Sequence, residues 1–167
     1  MTEEEKKLLR KDLIARLAYG VKIALKNNGS YHHENVAKKG DITTERLKGI
    51  NGNYFNICHD NPLDWDWFDD YIEIEDIKPY LFPLSSITEK QMEELEELCN
   101  MYTPDDDYHP YANLGITVLY KHVLDDGYKI SSYFKTDVID WFNENHFDYR
   151  GLIEKGLAID ATGKKIY

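Results

Sequence analysis

His59, Asp60, Asp64 and Asp66 set one imidazole and three carboxylates in a short stretch, a nitrogen and oxygen donor set that could hold a divalent cation. The stretch lacks the EF-hand pattern, with no glycine at the sixth position and no closing glutamate. Against the metal reading stands a plainer one. Asp60 to Asp76 carries eight carboxylates and no lysine or arginine, as a solvated loop and strand edge would, where like charges also discourage edge-to-edge aggregation. Trp65, Trp67, Phe68 and Tyr71, interleaved with Asp69 and Asp70, make the same run a mixed acidic and aromatic patch. If exposed, those six residues are the best candidate surface for a protein partner, because aromatic side chains anchor interfaces and acids steer basic partners. If buried, the aromatics belong to the core.

A second constellation lies in "WFNENHFDYRGLIEKGLAID", Trp141 to Asp160. His146 as base, Asp148 to orient it and Arg150 to hold an anion would suit proton transfer if the three converged. They alternate along one short segment, however, and no serine or cysteine nucleophile stands nearby. A structural clasp needs less: Phe147, Tyr149, Leu152 and Ile153 drop from a helix end onto a core, Gly151 permits a sharp backbone, and Arg150 pairs with a carboxylate or carbonyls. We read the run as that clasp, built from Phe147, Tyr149, Arg150, Gly151 and Leu152.

Other clusters carry less. His32 and His33 are adjacent rather than four apart, so one helix face cannot present both to a metal. Asp105 to His109 is an acid and histidine cluster in a loop. Cys58 and Cys99 show no CxxC or Cys/His metal spacing and read as buried thiols. Carboxylates are too numerous to choose a glycosidase pair without a measured separation. GxxxxGK[ST], GxGxxG and GxSxG are all missing from the sequence, so nucleotide, dinucleotide and hydrolase-elbow chemistry lose their usual support. No catalytic residue and no cofactor is therefore expected.

Composition sets the frame for these residues. The chain has 167 residues, 42% hydrophobic and 31% charged, with thirteen tyrosines, which suits one globular domain rather than a disordered segment. No apolar stretch approaches the ~20 residues that span a bilayer, and "MTEEEKKLLRKDL" is charged where a signal peptide would be apolar. A cytoplasmic protein without a membrane segment is the expectation. The charge is uneven: residues 51 to 117 hold 16 Asp and Glu against 2 Lys and Arg, within a net charge of −11. So acidic a middle repels phosphate backbones and argues against nucleic-acid binding. It would attract a basic partner, or imitate DNA phosphates if Glu89, Glu93, Glu94, Glu96 and Glu97 continued the acidic loop as one stripe.

Periodicity locates the elements. Thr2 and Glu5 have capping-box spacing ahead of a helix whose Leu9, Leu13, Ile14 and Leu17 share a face. Val21, Ile23 and Leu25 alternate with Lys22, Ala24 and Lys26 as a half-buried strand, and residues 30–44 read as polar loop. Asn51-Gly52 between β-prone arms marks a hairpin. Tyr71 or Ile72, with Ile74, alternates with acids as a further strand, and "KPYLFPL", fenced by Pro79 and Pro83, reads as a tight or single helical turn. Thr88 and Gln91 cap a second helix with Met92, Leu95, Cys99 and Tyr102 on one face and acids on the other. Residues 116–134 suggest two strands about Asp126-Gly127, with a helix across "ITVLYKHVL" as the competing reading. A last helix has Asp137 as N-cap and Val138, Ile139, Trp141, Phe142 and His146 as its apolar side, and "LIEKGLAID" reads as a turn and returning strand. The sum is a single α+β domain over residues 1–167. Residues 19–84 are mainly β, and residues 85–167 mainly helical with that hairpin and the clasp. Strand spacing suggests a small bent antiparallel sheet or an SH3-like barrel with flanking helices.

"ARLAYGVKI", "IEDIKPYLFPLSSITEKQMEEL" and above all "IDWFNENHFDYRGLIEKGLAID" resemble a group of small uncharacterised proteins of gut Bacteroidetes and their phages or prophages. The likeness covers the two ends and the centre; in that group the part corresponding to residues 103–133 is often shorter and the tail differs from "ATGKKIY". The resemblance implies cytoplasmic expression and a mobile-element origin. It carries no activity and no catalytic residues across.

Overall fold

A computed structural model describes residues 1–27, 39–51, 54–58, 72–100 and 132–167. Their chain path falls into two compact units, one of Met1–Leu81 with Arg150–Tyr167 and one of Phe82–Tyr149. The second is thus inserted in the sequence of the first.

The first unit opens with helix α1, Glu3–Arg16. Thr2 caps it as its spacing predicts: the Thr2 hydroxyl accepts from the Glu5 N–H at 3.2 Å, and the Glu5 carboxylate accepts from the Thr2 N–H at 2.7 Å. These reciprocal bonds satisfy amides that a helix start leaves without partners. Leu9 and Leu13 are buried as expected, but Ile14 is half exposed. The places flanking the stripe go instead to Asp12 and Arg16, both wholly buried.

Strands β1 (Lys22–Lys26), β2 (Ile42–Asn51), β3 (Tyr54–Cys58), β4 (Ile77–Leu81) and β5 (Ile159–Asp160) form one sheet in the order β3-β2-β1-β4-β5. Val21, Ile23 and Leu25 are buried along β1, which lies at the centre of that order. β2 and β3 are the hairpin that Asn51-Gly52 announced, with Asn51 opposite Tyr54. A register shift between Leu47 and Gly49 leaves Lys48 as the extra residue of β2, a bulge of the kind that bends and twists a strand. β2 also begins earlier than the polar composition of residues 30–44 suggested, because Ile42 to Thr44 find partners in β1.

The α+β class with a small bent sheet is what the chain forms. The described strands make an open sheet rather than an SH3-like barrel, and it is mixed, since β4 and β5 are parallel. Parallel neighbours require a long crossover, and residues 82–158 connect the two strands. Two local expectations are corrected here. Ile72 makes a single bridge to Phe55, followed by a 3-10 turn at Ile74–Asp76, in place of a strand. "KPYLFPL", read as a turn, begins with the last four residues of β4, with Pro79 opposite Ile23. The missing N–H of proline is tolerated there because β5 pairs with just Tyr80 and Leu81, so among the described strands Pro79 has β1 as its neighbour. Leu9, Leu13, Ile23, Phe55, Ile72 and Leu152 are among the buried residues of this unit's core.

The second unit is built on α2 (Glu89–Asn100) and α3 (Ser132–Glu144). Thr88 and Gln91 make the expected box, with Gln91 N–H to Thr88 Oγ1 at 3.3 Å and Thr88 N–H to Gln91 Oε1 at 3.0 Å. Leu95 is fully buried beside Val138, Phe142, Phe147 and Tyr149. Asp137 does not cap α3; the helix begins five residues earlier, at Ser132, and Asp137 lies within it. The expected strands about Asp126-Gly127 lie outside the described residues, as does Tyr102. Among the described residues no helix is long and apolar enough to cross a membrane.

Candidate functional site

His59, Asp60, Asp64 and Asp66, and with them Trp65, Trp67, Phe68, Asp69, Asp70 and Tyr71, lie outside the described residues. What is described is how the run is tethered: it leaves from Cys58 at the end of β3 and resumes at Ile72, which bridges back to Phe55 of the same strand. Among the described residues, no group of three or more His, Cys, Asp or Glu side chains could hold a metal ion.

The residues of the second constellation divide between the two units. In the unit of residues 82–149, Phe147 stacks on Trp141 at 5.6 Å and 16°, and Phe142 lies 5.6 Å from Tyr149. The Tyr149 hydroxyl donates to Asn143 Oδ1 at 2.9 Å, so a buried phenol is satisfied. His146 turns the chain out of α3 at φ 56. The backbone then bonds to Phe82 on both sides, Phe82 N–H to His146 C=O at 2.9 Å and Asp148 N–H to Phe82 C=O at 2.8 Å. These contacts make this half of the run a packing element.

In the other unit, Leu152 is buried and Gly151 takes the left-handed backbone, φ 68, where a Cβ would be strained. Arg150 meets a carboxylate that sequence reading did not single out. Asp12 Oδ2 accepts from Arg16 Nε at 2.8 Å, and Asp12 Oδ1 lies 3.1 Å from Arg150 Nε. The second contact lacks a well-aimed N–H, so it is an ion pair rather than a hydrogen bond. Asp12 and Arg16 are four apart on one helix; that spacing was the available signal, easily read as an ordinary surface pair.

An open cleft of about 600 Å³ in the same unit is lined by residues including Lys6, Arg10, Tyr54 and Glu75. Lys6 pairs with Glu75 and with Glu3, and the Arg10 guanidinium sits 5.7 Å over the Phe55 ring. Hydrogen bonding to Glu75 raises the Lys6 pKa, and the same bond lowers that of Glu75. Both shifts lead away from neutrality, the reverse of what a general acid or base needs. The Lys6–Glu75 contact in this cleft is therefore an ion pair and not a general acid and base.

Exposed carboxylates are concentrated on α2. Glu89, Glu93, Glu94, Glu96 and Glu97 are exposed while Leu95 faces the core. Lys90 reaches Glu94 at 3.5 Å, a solvent-exposed pair that offsets one of the five carboxylates and adds little stability. Comparison with protein-family models, curated proteins and solved structures returned no match.

Proposed function

We propose that the protein is a non-enzymatic interaction or accessory domain that recognises a basic protein partner through acidic and aromatic surface. The observation that carries this reading is the α2 face, where five glutamates are exposed on a helix whose opposite side is anchored by Leu95. Fixed carboxylates on a rigid helix raise the encounter rate with a cationic surface and add little hydrophobic contact of their own. Trp65, Trp67, Phe68 and Tyr71 are of the residue types that anchor interfaces, and Asp69 and Asp70 among them carry negative charge of their own.

The test is affinity capture from a lysate of the source cells with the wild-type chain and with Trp65→Ala/Trp67→Ala. The reading expects one saturable, salt-sensitive partner that the double variant loses at unchanged melting temperature. Retention of that partner by the double variant would remove the aromatic patch from the reading.

A further inference from the structure

β1 and β4 run antiparallel through Leu25 opposite Ile77, Ala24 opposite Lys78 and Ile23 opposite Pro79. The next rung would join Lys22 to Tyr80. At that point the Tyr167 hydroxyl stands between the two strands: the Lys22 N–H donates to it at 3.2 Å, and it donates to the Tyr80 carbonyl at 2.9 Å. Strand geometry agrees, because successive carbonyls point to opposite neighbours. The Leu81 carbonyl, one residue on, turns the other way and accepts from the Ala161 N–H at 2.8 Å. One phenol thus takes the place of a direct amide-to-carbonyl bond.

We propose that the parted ends of β1 and β4 form a binding slot for a phenol, with Tyr167 as its resident ligand and a tyrosine-type side chain as the class it accepts. The slot asks for one atom that both accepts from an amide and donates to a carbonyl, and its resident group presents that atom on an aromatic ring. A hydroxyl meets that demand; a carboxylate lacks the donor and an ammonium lacks the acceptor. Burial pushes the Tyr167 hydroxyl up to about 12, although the residue as a whole is 48% exposed. The two values agree if the ring enters hydroxyl first. Residues 162–165 of the segment that carries Tyr167 are exposed, and Gly163 turns it at φ 72.

The experiment uses the full chain as wild type, Tyr167→Ala and Tyr167→Phe, with p-cresol as probe and toluene as its hydroxyl-free control. Thermal unfolding should show Tyr167→Ala below wild type and raised saturably by p-cresol but not by toluene, since a ligand of the native state stabilises it. Wild type, with the slot filled, should not respond at the same concentrations. Equal response to toluene, or equal response of wild type, would overturn the proposal. Should Tyr167→Ala fail to fold, Tyr167→Phe decides by amide hydrogen exchange. The Lys22 amide should exchange roughly fivefold faster than in wild type, the equivalent of one net hydrogen bond. An unchanged Lys22 rate would overturn the proposal equally.

Discussion

Replacing Asp12 by alanine removes a carboxylate that two guanidinium groups share, Arg16 at 2.8 Å and Arg150 at 3.1 Å. The Asp12 and Arg16 side chains are 0% exposed and that of Arg150 is 13% exposed, so water cannot take over the role of the lost charge. Breaking a buried pair from one side costs on the order of 3–5 kcal/mol, because the remaining charge stays desolvated. For a chain of this size each kcal/mol moves the midpoint by roughly 2–4 °C, so Asp12→Ala should melt roughly 6–20 °C below wild type. Arg150→Ala should cost less, about 1–3 kcal/mol, since Asp12 retains its hydrogen bond to Arg16. Urea unfolding followed by circular dichroism, on wild type, both single variants and the double variant, gives the two costs and their coupling. A loss under ~1 kcal/mol for Asp12→Ala would refute the argument, since removing a partner from a buried pair is expected to cost several times that. An unchanged melting temperature for Arg150→Ala with lost partner binding would move Arg150 from the clasp to the interface.

Three further outcomes follow from the same contacts. Burial holds the Tyr167 proton in the folded state up to about pH 12, against an ordinary value of 10.0. Its contribution to stability is therefore full below pH 10 and lost as pH rises to about 12. Lys6, raised by Glu75, titrates in the same direction, so the measurement is the difference between wild-type and Tyr167→Phe melting curves across that window, which should narrow toward high pH. Thr88→Ala removes the α2 cap and should cost ~1 kcal/mol, read by chemical denaturation, while leaving the Thr2 cap of α1 untouched. Thermal unfolding of chelator-treated protein with Ca²⁺, Mg²⁺, Mn²⁺ or Zn²⁺ should show no metal-specific rise; such a rise would favour a metal site at His59, Asp60, Asp64 and Asp66 over the interaction reading.

Features set by a few neighbouring residues were legible in the sequence. The Thr2/Glu5 and Thr88/Gln91 boxes and the β2–β3 hairpin depend on spacings of three or four residues, and each appears where the spacing placed it. β4 was misread because Pro79 and Pro83 signal a turn locally, whereas the strand exists through pairing with β1 far away in the sequence. Asp137 has a cap's chemistry but lies inside α3, since aspartate is favoured at helix starts without being confined to them. Asp12 and Arg16 were hidden for a related reason: the group that completes them, Arg150, comes from the opposite end of the chain. The Tyr167 slot left no local signal at all, because its donor and acceptor are backbone groups of two strands. The acidic side of α2 was legible from helical periodicity alone, as its glutamates are the positions Leu95 leaves to solvent.

Recruitment of a basic protein partner by acidic surface can be probed at the α2 face, whose five glutamates are exposed. The measurement is quantitative capture from lysate at low and high salt, comparing wild type with Glu93→Lys/Glu94→Lys/Glu96→Lys/Glu97→Lys after circular dichroism shows the variant folded. The partner should be held at low salt, weakened at high salt as screening shortens the reach of charge, and lost from the charge-reversed variant. Undiminished capture by that variant, at either salt concentration, would contradict it.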